Sequence, residues 1–181
     1  MSALLVAIVG AESTGKTTLA SALAPALAAR TGLRCTNVAE ELRLFCEREA
    51  RVPRPDEQAG IAAAQVAAID AAAAAHDVVI CDTTPLMIAV YSELLFGDRA
   101  LIAPAQDFHR RCALTLVTAL DIAWQADGMM RDGPQVREPV DALVRAALDA
   151  GAIPWQRVAG QGDARVEAAL AAILPLCAAA R

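Results

Sequence analysis

Apolar runs of strand length alternate along the chain with longer stretches whose apolar positions recur at helical spacing. Leu4 to Val9 is the first run, and a helical pattern starts at Thr18 and stops near Arg30-Thr31-Gly32, with glycine as the C-terminal signal. Leu33 to Ala39 predicts a second strand. A Pro-broken connection, Arg51 to Pro55, leads to a long alanine-dominated helix ending near Ala75, with Asp56 as its expected N-cap. Asp77 to Asp82 predicts the third strand. Pro85 to Arg111 predicts one or two helices broken around Gly97-Asp98, with Tyr91 and Phe96 as core aromatics. Leu114 to Leu120, ended by Asp121, is the fourth strand. A helix from Val140 to Ala150, a short strand from Gln156 to Ala159 and a terminal helix from Ala164 to Ala179 complete the series. Five strands alternating with helices predict an α/β fold with a parallel sheet covered on both faces.

Between the first strand and the first helix stands Gly10-Ala11-Glu12-Ser13-Thr14-Gly15-Lys16-Thr17, which fits the phosphate-loop pattern G-x-x-x-x-G-K-[ST]. Glycines there let the backbone wrap an anion, successive N–H groups point at phosphate oxygens, and the helix N-terminus adds partial positive charge. The expected ATP site comprises Gly10, Glu12, Ser13, Thr14, Gly15, Lys16, Thr17 and Thr18. Lys16 would bridge the β- and γ-phosphates and Thr17 would ligate Mg²⁺. Lys16 is the only lysine, against fifteen arginines, so the position that needs a compact ammonium is the one that keeps it.

Other candidates stand at the carboxyl ends of the strands, where ligands bind in open α/β sheets. Asp82 closes the third strand as a Walker B carboxylate for Mg²⁺, with Thr83-Thr84-Pro85 after it. Glu40 and Arg43 follow the second strand. Their competing reading is a solvated first turn of the next helix. The stretch from Asp121 to Arg137 changes composition, contains glycine and arginine, and reads as a lid that excludes water and brings guanidinium charge to the transferring group. The turn Gly160 to Arg165, with Gly162 and Arg165, sits where many phosphate-loop kinases touch adenine.

At 181 residues the chain suits a single α/β domain, residues 1–181. A net charge of −5 and the absence of a long basic run argue against a nucleic-acid partner and for a small molecule. Five cysteines without a CxxC pair read as reduced thiols, and the apolar N-terminus has no basic leader; both suggest a cytoplasmic protein. Gln65, Asp70, His76 and Asp77 interrupt the alanine-rich stretch, which argues against a membrane span. His76 and His109 lack partners at metal-ligand spacing. No Asn-Lys-x-Asp element is present, which disfavours GTPase chemistry.

The chain resembles, nearly end to end, the ribosylnicotinamide kinase domain of NadR-type NAD-metabolism proteins and the stand-alone phosphate-loop ATPases and kinases grouped with it. The matches are Gly10 to Thr17, Glu-x-x-Arg at Glu40 and Arg43, Cys81-Asp82-Thr83, and Trp124-Gln-Ala-Asp127-Gly128 with Arg131 and Arg137. The resemblance implies a phosphate-loop kinase fold with sheet order 2-3-1-4-5. It also implies ATP-dependent phosphorylation of the 5′-hydroxyl of nicotinamide riboside, giving nicotinamide mononucleotide. Glu40, Arg43, Asp82, Trp124 and Asp127 would contact the nucleoside, with Trp124 near the pyridinium. Lys16, Glu40, Asp82 and Arg131 would carry the chemistry, Glu40 or Asp82 taking the hydroxyl proton, and Arg137 would contact ATP. The Asp127-to-Arg131 spacing is one residue longer than the family's Asp-Gly-x-Arg. The alternatives are a kinase for another nucleoside and a regulatory ATPase or switch that acts through a protein partner.

Overall fold

The computed structural model describes residues 3–125 and 133–179. Five parallel strands form one sheet in the order β2-β3-β1-β4-β5: β1 Leu4–Val9, β2 Cys35–Val38, β3 Val78–Asp82, β4 Leu114–Thr118 and β5 Gln156–Val158. Among the described residues seven α-helices connect them or follow them: α1 Lys16–Thr31, α2 Glu41–Glu49, α3 Gln58–Ala75, α4 Pro85–Phe96, α5 Ile102–His109, α6 Arg137–Ala150 and α7 Gly162–Ala179. The expected class and sheet order are those observed, an α/β phosphate-loop NTPase fold.

Alternation along β1 sets the layers, because successive side chains point to opposite faces. Val6 and Ile8 pack with Val78, Ile80 and Leu116 under α1 and α7, through Leu19, Leu23, Leu27, Leu170 and Ile173. Val9 faces the other way and joins Val117 under α4 and α6, through Leu86, Val90, Val140, Val144 and Leu148. Leu5 joins Val79 and Cys81 against Ile69 of α3 and Phe108 of α5. Both faces of the central strands are therefore covered, which is why they read as continuous apolar runs.

Register then determines what meets at the carboxyl edge. Ile8 pairs with Asp82 and Val38 with Cys81, so the end of β1, Asp82 and the residues after β2 share one edge. Several local expectations change. The first helix begins at Lys16, two residues before the expected Thr18, because the glycine at position 15 turns into it with φ 75°. Pro25 lies inside that helix. The second strand is shorter than Leu33–Ala39.

Asp56 does not cap α3, which starts with no side-chain cap; it belongs to a 3-10 turn, Pro55–Glu57, closed by Glu57. Its carboxylate accepts the Arg54 N–H at 2.7 Å and both Arg51 guanidinium nitrogens at 2.7 Å, which holds its pKa down at about 2. Thr84 caps α4, its hydroxyl accepting the Leu86 N–H at 3.3 Å. The break at Gly97 is present, with that residue left-handed at the helix end.

The Pro55–Ala75 segment is long and apolar enough to cross a membrane by length and composition alone. In this fold its buried face is stitched to the sheet edge by Gln65, whose amide donates to Ala39 O at 3.1 Å and accepts the Glu41 N–H at 2.8 Å.

Candidate functional site

The phosphate loop keeps its shape through contacts behind it. Gly10 has φ 144°, and a Cβ there would meet Thr118 Oγ1 at 2.2 Å, so no side chain fits. Thr14 donates its hydroxyl proton to Ala11 O at 2.7 Å. The Thr118 hydroxyl lies 2.7 Å from that of Thr14 and 3.3 Å from Val9 O, so a buried hydroxyl pair ties β4 to the loop. Arg165 of α7, 3% exposed, presses on the loop from another side. Its guanidinium donates to Thr14 O and to Ala119 O and pairs with Asp121, while Nε donates to Gly160 O at 2.7 Å. Asp121 also accepts the Gly160 N–H at 2.6 Å. The Gly160–Arg165 turn is thus organised by Asp121, which the sequence marked as a strand end and the start of the 121–137 stretch.

Asp82 is 2% exposed at the end of β3. Burial raises its pKa, opposed by a hydrogen bond from the Thr17 hydroxyl and by the charges of Lys16 and Arg43. Its Oδ1 is buried with no hydrogen-bond partner among the described residues. A hydroxyl and a carboxylate with an unused oxygen form a hard-donor pair of the type Mg²⁺ takes. Thr83, which follows, is buried at φ 69°, a left-handed conformation that costs a β-branched residue about 1–3 kcal/mol.

Glu40 is the N-cap position of α2, so its backbone starts the helix while its side chain turns to the site. Burial raises its pKa; Asp82 raises it further, and Lys16 and Arg43 oppose the shift. Glu40 and Arg43 do stand at the start of a helix, and the charge of Arg43 acts on both Glu40 and Asp82. Lys16 Nζ lies over the loop, donating to Ala11 O at 2.8 Å.

These groups border a cavity of about 580 Å³. Residues 12–18 of the loop form one wall, with Glu40 and Arg43 beside them. Leu42, Cys46, Val52, Pro53, Gln58, Tyr91, Leu95 and Phe96 form the rest, and sequence reasoning missed all of these as site residues. Tyr91 and Phe96 were expected in the core. Tyr91 does pack against apolar neighbours, but it also faces the cavity, and Phe96, at the end of α4, is 39% exposed. The only available signal was the position of these residues after β2 and β3, at the ligand-binding edge.

The described residues on either side of 126–132 are anchored. Ser13, left-handed at φ 55°, accepts the Gln125 N–H at 2.9 Å, and Arg137 donates to Ile122 O at 2.9 Å. Arg137 is 8% exposed. Trp124 is half-buried, and its indole N–H is buried without a partner among the described residues. Neither residue lines the cavity, nor do Gly162 and Arg165. Asp127 and Arg131 lie outside the described residues. No group of three or more His, Cys, Asp or Glu at metal-binding spacing occurs among the described residues. His109 is buried between Thr84 (3.0 Å) and Thr115 (2.8 Å), and burial lowers its pKa to about 4.

Comparison with known proteins places this architecture. The chain is similar in structure to NadR protein in complex with NR, with a TM-score of 0.80 at 20% identity, covering 97% of this chain and 52% of that one. It is also similar to NadR protein in complex with NAD and AMP-PNP, with a TM-score of 0.73 at 19% identity, covering 97% and 50%. For deoxyadenosine kinase from M.mycoides the TM-score is 0.61 at 14% identity, covering 96% and 100%. The chain spans about half the length of the NadR chains, and identities this low establish a shared fold. No curated protein matches by sequence. Residues 5–165 match the family model AAA_28, described as an AAA domain, and the chain belongs to that family.

Proposed function

We propose that the protein is an ATP-dependent small-molecule kinase whose acceptor is the 5′-hydroxyl of nicotinamide riboside. The observation that carries the reading is the continuity of one cavity from the phosphate loop to Glu40 and Arg43 and on to a half-apolar compartment large enough for a nucleoside. A switch that acts through a protein partner has no need of such a compartment. The structural likeness to a NadR protein that holds NR supports the choice of acceptor.

In this reading the loop amides and Lys16 hold the β- and γ-phosphates, and Arg43 adds positive charge on the acceptor side. Thr17 and Asp82 would hold Mg²⁺, which neutralises phosphate charge. Glu40 lines the cavity whereas Asp82 stands behind Thr17, so Glu40 is the better-placed base. Its raised pKa brings a carboxylate closer to the operating pH, which improves proton acceptance. The hydroxyl oxygen forms the new bond to the γ-phosphorus as the bond to the ADP oxygen breaks, and Glu40 receives the hydroxyl proton. Trp124 and Arg137, with Asp127 and Arg131 between them in the sequence, would contact the acceptor and the nucleotide. Gly162 and Arg165 shape the nucleotide side from behind the loop.

The test is ADP release with and without added nucleoside, with the product identified by mass. ATP turnover should depend on nicotinamide riboside and yield its 5′-phosphate. Turnover indifferent to every nucleoside offered would favour the switch reading.

A further inference from the structure

We infer that Gln58 sets the acceptor class: a ring bearing a primary carboxamide, whose edge presents a donor beside an acceptor. The inference rests on the kinase reading and extends it to one contact.

Gln58 is the first residue of α3, is 2% exposed and lines the cavity. Its Oε1 is buried with no hydrogen-bond partner among the described residues. Buried amide oxygens are seldom left unmatched, because losing water without a replacement bond is costly. Gln65, two turns further along the same helix, shows the ordinary solution, with both amide atoms bonded to backbone. Leu42, Cys46, Val52 and Pro53 offer Gln58 no strong donor, and although Tyr91 and Arg43 carry donors on the same cavity, Oε1 is bonded to neither. The remaining source of a partner is what occupies the cavity.

A primary amide is a planar fork with one acceptor and donors beside it, and either orientation presents both. Its complement is another amide, which returns an N–H to the oxygen and a carbonyl to the nitrogen. A ring carboxylate offers acceptors only and would set an oxygen against Oε1. A neutral ring without such an edge would leave Oε1 unmatched. The apolar wall around Gln58 suits the flat faces of a ring.

The experiment compares nicotinamide riboside with nicotinic acid riboside as acceptors for the wild type, Gln58→Leu and Gln58→Met. Apolar replacement of an unmatched buried amide is compatible with folding, and melting curves check both variants. Catalytic efficiency of the wild type should favour the carboxamide by about tenfold or more, the discrimination typical of one buried hydrogen bond. Both variants should lose about tenfold on the carboxamide, change little on the carboxylate and keep the wild-type KM for ATP. Calorimetric binding of each riboside in the presence of a non-hydrolysable ATP analogue gives a readout independent of turnover. Transfer with an unchanged acceptor ratio in both variants overturns the Gln58 contact and leaves the kinase reading standing. A Gln58-dependent binding preference without transfer supports the contact and overturns the kinase reading. Neither transfer nor amide-dependent binding overturns both.

Discussion

Lys16 and Glu40 show how a single side chain is made to act by its surroundings. Lys16→Ala removes the one ammonium at the loop, and phosphoryl transfer should fall by ~10²–10³ or more, the loss typical of one electrostatic donor at a transition state. Steady-state turnover with an unaltered melting curve is the measurement; near-normal rates would remove Lys16 from the mechanism. Glu40 predicts a pH effect with a definite sign. Its native pKa is raised by burial, so the folded chain keeps a proton that the unfolded chain has released. Stability contributed by this group is greatest below the unfolded value of about 4.3 and declines as pH rises to the native value. Glu40→Gln should therefore melt higher than the wild type at pH 8, with the gap closing toward pH 4, while transfer is lost. A gap that stays constant with pH would show that Glu40 ionises as it does in the unfolded chain.

At the scale of elements, the phosphate loop is held by α7 and leads into the base of the 121–137 stretch. Arg165→Lys keeps the charge but loses the fork that reaches Thr14 O, Gly160 O and Asp121 together. Losing a buried charge-assisted bond is worth ~1.5–3 kcal/mol, so the KM for ATP should rise ~10–100-fold along with a drop in melting temperature. An unchanged KM with reduced stability would confine Arg165 to packing. Trp124 stands where Ser13 meets Gln125, beside the loop. In a Trp155→Phe background it is the sole indole, and nicotinamide riboside should shift its fluorescence. Trp124→Ala should raise the riboside KM by ~2–30-fold, the range of a cation–π contact. A silent spectrum with an unaltered KM would mean that the indole only packs.

For the molecule as a whole, binding at the carboxyl edge of the sheet should register as global stability. ATP with Mg²⁺ at about 100 times its Kd adds ~2.7 kcal/mol, which for a chain of this size raises the melting temperature by roughly 5–10 °C. Asp82→Asn should abolish most of the Mg²⁺-dependent part and leave the part due to nucleotide alone. An unchanged Mg²⁺ titration in that variant would make Asp82 a structural carboxylate.

Strand runs, helix periodicity and the Gly10–Thr17 spacing were legible in the sequence because each depends on neighbours a few residues apart. From them followed the layered fold, and the family resemblance supplied the order of the strands. The placement of Lys16, Thr17 and Asp82 at one edge of the sheet was legible for the same reason, since a strand end delivers a residue whatever else the chain does. The far wall of the cavity was not. Gln58, Cys46 and Tyr91 are ordinary helical residues by spacing, and only the docking of α2, α3 and α4 beside the loop turns one side of each toward the cavity. Asp56 lost its expected cap because the chain makes a 3-10 turn at Pro55–Glu57, closed by Glu57 on Arg51 and the Arg54 N–H, before α3 begins. The left-handed Thr83 is likewise a tertiary decision: a β-branched residue takes that conformation only where packing on every side leaves no other. Local sequence thus determined which segments are strands and where the phosphate-loop pattern falls, while long-range packing decided which side chains line the cavity, because that depends on contacts between segments far apart in the chain.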